Sequence, residues 1–162
     1  MGLLLADRRA RYEQCFGLLL TLAGLRCEGA VDQLDHSLQC ATRALDAGAR
    51  PDLVFGALMH DLYRPGPGGF HGLAAARLIQ PLVSDATYWT VRIHDHLMLR
   101  HVPPAPGLVS EAPRYRDEAW FPLALVFCDE WDRPAFAPGG RAFPPAYFHS
   151  LLYHACVRPG QP

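Results

Sequence analysis

The chain has 162 residues, half of them apolar, and its 15 basic against 16 acidic side chains leave a formal charge of −1. That length suits one domain, 1–162, burying about 70% of the surface an unfolded chain exposes, so a core needs no disulfides. The near-neutral balance argues against nucleic acid as a partner, and the five cysteines, an odd number with no C-x-x-C pair, point to a reducing, cytoplasmic compartment.

Taken in order, the elements are helical throughout, and the expected fold class is an all-α bundle of six to seven helices. A leucine-rich first helix is expected over 3–25, closing near Gly24; its run FGLLLTLAGL is too short to cross a bilayer, and no cleavable signal pattern precedes it. A second helix starts at Asp32, with Leu34, Leu38, Ala41 and Leu45 at helical spacing, and stops at Gly48. Pro51 opens a third, as proline can in a first turn, and DLVFGALM leads straight into His60 and Asp61. RPGPGGF (64–70) reads as a glycine–proline loop that returns the chain at His71. Helices over about 71–83 and from Asp85 to Arg100 follow. The proline-rich stretch 102–113 reads as a loop of the kind used as a lid. A sixth helix is expected over 117–131 and a last one over 145–156.

Adjacent His60 and Asp61 at the end of an apolar helix carry the chemistry. Burying a charge beside a core costs several kcal/mol unless it is paired or bound to metal. An imidazole nitrogen and a carboxylate oxygen there can share one cation. His36 upstream and His71, His96 and Asp129 downstream complete a set large enough for two metal ions. His94 and His96 compete for one role, because positions two apart on a helix point in opposite directions. His96 shares a face with Trp89 and Ile93 and is the choice. Asp129, one turn beyond Leu125, is preferred over Asp132, which precedes Arg133-Pro134 and reads as a helix-end or surface group.

The stretch AVDQLDHSLQCATRALDAGARPDLVFGALMHDL (30–62) resembles the opening of the HD-domain mixed-valence diiron oxygenases. It is most similar to the phosphonate-cleaving members, which attack 2-amino-1-hydroxyethylphosphonate or close relatives, and more distantly to myo-inositol oxygenase. Thinner likeness continues through FHGLAAARLI (70–79), RIHDHLMLRH (92–101) and FCDEWDRPAFAP (127–138), so that the resemblance spans about two thirds of the chain. The resemblance implies two irons as an Fe(II)/Fe(III) pair and O2 as co-substrate. His36, His60, Asp61 and Asp129 would hold one iron, and Asp61 would bridge to a second held by His71 and His96. It also implies that a small hydroxylated anion is oxidised and cleaved at a C–P or C–C bond. Arg100 falls where the family has a basic residue for the anionic group, with Arg64 as a second cation and Gln33 as an orienting amide.

The chain departs from the family at several places. Members often carry tyrosine and glutamate before the first histidine, as a displaceable cover over the second iron. Here Arg26 and Gly29 stand at those places, and Glu28, one position off, is the candidate to serve. Arg64 stands where a histidine is expected, and the loop between Asp61 and His71 is shorter. Asp61, Arg100 and Glu28 are therefore the expected catalytic residues. Two rivals share the ligand set: an HD-domain phosphohydrolase, in which a metal activates water against a phosphoester, and a binding or regulatory protein that has lost its chemistry.

Overall fold

Helical spacing of the apolar positions, with no alternating runs, leaves the helix as the regular element, and helices are what form. The computed structural model describes residues 4–26, 29–64, 69–102 and 105–158. Through them run α1 (Leu5–Leu20), α2 (Gln33–Asp46), α3 (Pro51–Met59), α4 (Gly72–Ile79), α5 (Asp85–Met98), α6 (Phe121–Val126) and α7 (Pro145–Val157), with no strand among the described residues. The all-α bundle is the fold.

Helix α3 is central. Every residue from Leu53 to Met59 is buried, the signature of a helix surrounded by protein rather than lying on its surface. Helices α2 and α5 pack along it, and α7 and α1 cover another side. Gly56 sets the approach of α5. A Cβ there would lie 2.6 Å from the Thr87 side chain and 3.2 Å from that of Val91, so any larger residue would push α3 and α5 apart. Asp32 caps α2, accepting the Asp35 N–H at 2.8 Å. Ser84 sits at the N-cap of α5.

Two boundaries differ from the sequence expectation. Helix α1 stops at Leu20, and the chain turns over 21–24 with the Thr21 N–H on the Leu18 carbonyl at 3.0 Å. Helix α6 begins at Phe121, not at 117, because Pro122 fits a first turn and would break a helix interior. Beyond α6 the chain winds as a π-helical turn over Phe127–Asp132 and tightens into a 3-10 turn over Arg133–Phe136. Pro134 has no N–H to give to a preceding carbonyl, so regular α winding cannot run through it.

Candidate metal centre

Six side chains from five places in the chain meet inside the bundle: His36 from the first turns of α2, His60 and Asp61 from the end of α3, His71 from the N-cap of α4, His94 from α5 and Asp132 from the π-helical turn. All six are buried, His36 and His60 completely. They fall into two sets that share Asp61. In one, His36 Nε2 lies 3.1 Å from His60 Nε2, 3.1 Å from Asp132 Oδ1 and 3.4 Å from Asp61 Oδ2. In the other, Asp61 Oδ1 lies 2.7 Å from His71 Nε2 and 3.3 Å from His94 Nε2, and those two nitrogens are 3.1 Å apart. His60 Nε2 stands 3.5 Å from both Asp61 Oδ1 and Asp132 Oδ1, between the sets.

The tautomers fit a cation. His60 Nδ1–H donates to the Ala57 carbonyl at 2.7 Å, His94 Nδ1–H to the Val91 carbonyl at 2.6 Å and His71 Nδ1–H to the Gly69 carbonyl at 3.2 Å. A carbonyl can only accept, so each Nδ1 carries a proton, and each ring in its neutral form turns its Nε2 lone pair inward. Lone pairs brought to about 3 Å repel unless a proton or a metal lies among them. A metal with bonds of about 2.1 Å at right angles would hold its ligand atoms roughly 3 Å apart, the spacing seen here. Groups of these residues, His36 with His60 and Asp132, and His60 with Asp61 and His94, could therefore hold a metal ion.

Electrostatics agree. Burial pushes the Asp61 and Asp132 carboxyls toward the neutral form, but the surrounding imidazoles prevail and hold both well below the usual carboxylate range. Burial likewise opposes the charged forms of His60 and His94. Asp61 and Asp132 beside His60, and Asp61 and Asp95 beside His94, reverse that and hold both above the ordinary histidine value. Cys40 and Cys128 are different: burial first, then the nearby carboxylates, push both thiols up. The Cys128 thiol donates to the His94 carbonyl at 3.5 Å.

Aromatic rings wall the cluster. Phe136 stacks on His36 with centroids 3.8 Å apart, and Phe127 meets His60 edge-on at 5.4 Å. Arg64 Nη1 reaches Asp61 Oδ2 at 3.2 Å, and its guanidinium lies 5.5 Å from the centre of the Phe136 ring. Gln33 is buried one turn before His36, and neither polar atom of its carboxamide has a hydrogen-bond partner among the described residues.

His36, His60, Asp61 and His71 stand together as the sequence led us to expect, and two choices are corrected. His94, not His96, joins the cluster. His96 is turned away, with its ring stacked on Phe70 at 3.7 Å and its Nδ1 accepting the Glu111 N–H at 3.1 Å. Asp132, not Asp129, is the second carboxylate. Asp129 is 38% exposed and pairs with Arg100 at 2.7 Å and His101 at 2.7 Å. Arg100 is thereby engaged at the surface, with its Nε–H on the Leu97 carbonyl, and no hydrogen bond joins it to the six. Glu28 lies outside the described residues. Arg26 donates to the Ala30 carbonyl at 2.7 Å.

The two missed residues had a signal. On α5 the buried faces of Thr87, Thr90 and Val91 lead to His94, but the two threonines read as polar. On the last segment Ala124, Phe127, Cys128 and Trp131 are the buried positions, and they lead to Asp132 where Leu125 led to Asp129.

No protein-family model matches the chain, and a search of curated proteins returns no match.

Proposed function

We propose that this chain is an HD-domain non-haem diiron oxygenase that uses O2 to oxidise and cleave a small hydroxylated anion of the phosphonate type. The observation that carries the reading is the set formed by Asp61 Oδ1, His71 Nε2 and His94 Nε2, mutually 2.7–3.3 Å apart. Two histidines and one carboxylate are the donor set associated with non-haem iron oxygenases, and these three would hold such an iron. His36, His60 and Asp132 supply a more enclosed neighbour across the Asp61 carboxylate. The sequence likeness over 30–62 supports the same family. Two irons, when bound, supply a Lewis-acidic position for the substrate hydroxyl and the redox capacity for O2 chemistry.

The remaining roles belong to this chain's own residues. The Nδ1 bonds of His60, His71 and His94 fix which nitrogen each ring presents. Arg64, beside Asp61, offers a planar, always-charged partner for the anionic group. Gln33 brings a buried amide, unpaired among the described residues, to the same end of α2. Phe127 and Phe136 keep water from the imidazoles. The balance for C–P cleavage is R–CH(OH)–PO3(2−) plus O2 giving R–COO(−), HPO4(2−) and H(+): carbon is oxidised to the carboxylate, O2 is reduced, and its two atoms complete the carboxylate and the phosphate. Cleavage at a C–C bond is the corresponding step for a substrate without phosphorus.

The test is O2 uptake by the protein loaded anaerobically with Fe(II), across small hydroxyphosphonates, hydroxycarboxylates and phosphomonoesters. The expected result is O2 consumption that depends on a hydroxylated anion and disappears in Asp61→Ala, with Arg64→Ala raising KM at unchanged iron content. Phosphate released from a phosphomonoester without O2 would replace the oxygenase by the phosphohydrolase.

A further inference from the structure

We infer that Asp95 is a positioning residue that builds the second half of the metal centre by gripping the backbone of His71, an inference that rests on the two-metal reading above. Of the imidazoles with a bonded Nδ1, His71 is the least secured by its own surroundings. His60 and His94 lie within or at the end of helices and donate to carbonyls three residues back, at 2.7 and 2.6 Å. His71 precedes α4 as its N-cap, makes no side-chain cap bond, and its Nδ1–H donates to the Gly69 carbonyl at 3.2 Å, with Asp95 Oδ2 3.9 Å from the same nitrogen. Its anchor comes from another helix. Asp95 Oδ2 accepts the N–H of His71 at 2.6 Å and the N–H of Gly72 at 2.7 Å, while Oδ1 accepts the N–H of His96 at 2.8 Å.

This does from α5 what a capping side chain does locally: it satisfies N–H groups at a helix start that have no partner within the helix. The grip needs close contact. A Cβ on Gly72 would lie 2.6 Å from the Val91 carbonyl oxygen, 2.9 Å from that of Arg92 and 3.0 Å from His94 Nδ1, so α4 starts hard against α5 because residue 72 is glycine. Adjacent residues on each side then interlock. His94 meets His71 ring to ring, with Nε2 atoms 3.1 Å apart, while Asp95 holds the main chain beneath that ring. Asp95 is 7% exposed and bonds through both oxygens, so it acts through His71 rather than as a ligand.

The consequence is a selective one. Losing the grip should release His71 and empty the half made by Asp61, His71 and His94, leaving the half made by His36, His60 and Asp132 in place. The experiment is an anaerobic Co(II) titration of the metal-free protein, read as bound equivalents and visible absorption, on wild type, Asp95→Ala, Asp95→Glu and Asp95→Asn. Wild type is expected to bind two equivalents. Asp95→Ala, without the acceptor, and Asp95→Glu, whose extra methylene displaces it, are expected to bind the second equivalent about 10- to 100-fold more weakly, with far-UV circular dichroism unchanged. Asp95→Asn keeps an oxygen for the two N–H groups and is expected to bind both. If Asp95→Ala does not fold, the Glu and Asn variants decide the matter between them. Wild-type affinity in Asp95→Ala or Asp95→Glu overturns the inference alone. So does an Asn variant as deficient as Ala, since that assigns the effect to charge. A wild type that saturates below two equivalents overturns the two-metal reading itself, and the inference with it.

Discussion

Asp61 is the residue on which both ligand sets depend, because its two oxygens face different imidazoles: Oδ2 lies 3.4 Å from His36, and Oδ1 lies 2.7 Å from His71. Around it, neighbouring residues of the same type have opposite fates, and this can be tested. His94→Ala and Asp132→Ala are each expected to weaken metal binding at least tenfold, whereas His96→Ala and Asp129→Ala should bind metal as wild type does; equilibrium dialysis with Co(II) or Fe(II) measures all four. Equal losses in both members of a pair would contradict the geometry. The residues that were legible in the sequence owe it to contrast. His60 and Asp61 interrupt an apolar run, and His36 recurs at helical spacing among leucines. The other two were hidden for physical reasons. Thr87 and Thr90 are buried, with the Thr87 hydroxyl satisfied by Asp52 at 2.9 Å, so a core face was written partly in polar letters. Trp89, which marked the wrong face, belongs to a separate aromatic group with Tyr115 and Trp120.

At the scale of elements, the helices that carry the histidines are tied together at their far ends. Asp52, in the first turn of α3, accepts the Ser84 N–H at 3.1 Å, the Ser84 hydroxyl at 2.6 Å and the Thr87 hydroxyl at 2.9 Å, all at the start of α5. From this clamp His60 lies eight residues on and His94 seven beyond Thr87. At 1.5 Å per residue both are carried roughly 10–12 Å along parallel courses, and their ring centroids end 4.9 Å apart. Burial opposes charge on Asp52, but the bonds from Ser84 and Thr87 prevail and lower its pKa. A carboxylate with a lowered folded pKa contributes stability that is present above its unfolded value, about 3.9, and lost as pH falls through the folded one. Asp52→Asn is therefore expected to cost roughly 1–2 kcal/mol at pH 7 by urea unfolding, the gap from wild type narrowing as pH drops below about 4. A gap that widens in acid would refute the clamp. Helix positions were readable from spacing and from Pro51 and Asp32. The π-helical turn over Phe127–Asp132 was not, because a period fitted to α geometry carries no allowance for a change of winding.

At the scale of the molecule, a core of apolar residues on seven helices surrounds a charged centre, and the two respond differently to metal. The core runs from Tyr12 on α1 through α3 to Val157 on α7 and is built of apolar side chains, so removing metal should leave the helices formed. Among the described residues no helix is long and apolar enough to cross a membrane. Without metal, protons hold the cluster together. His60 and His94 have raised pKa values, chiefly because neighbouring carboxylates outweigh the penalty of burial. Stability from such groups is present below the unfolded histidine value of about 6.5 and is lost as pH rises through the folded value. Metal binding must displace those protons, so its affinity grows with pH. At 100 to 1,000 times the dissociation constant a bound metal adds about 2.7–4.1 kcal/mol. For a chain of this size that corresponds to roughly 5–15 °C in Tm. Thermal unfolding of chelator-treated and metal-loaded protein is accordingly expected to differ by that much at pH 8 and by clearly less at pH 6, with the metal-free form losing stability between the two. A metal-induced rise in Tm that is equal at both pH values would mean that His60 and His94 do not release protons to the metal. Retained helical circular dichroism in the chelated protein separates loss of the centre from loss of the fold.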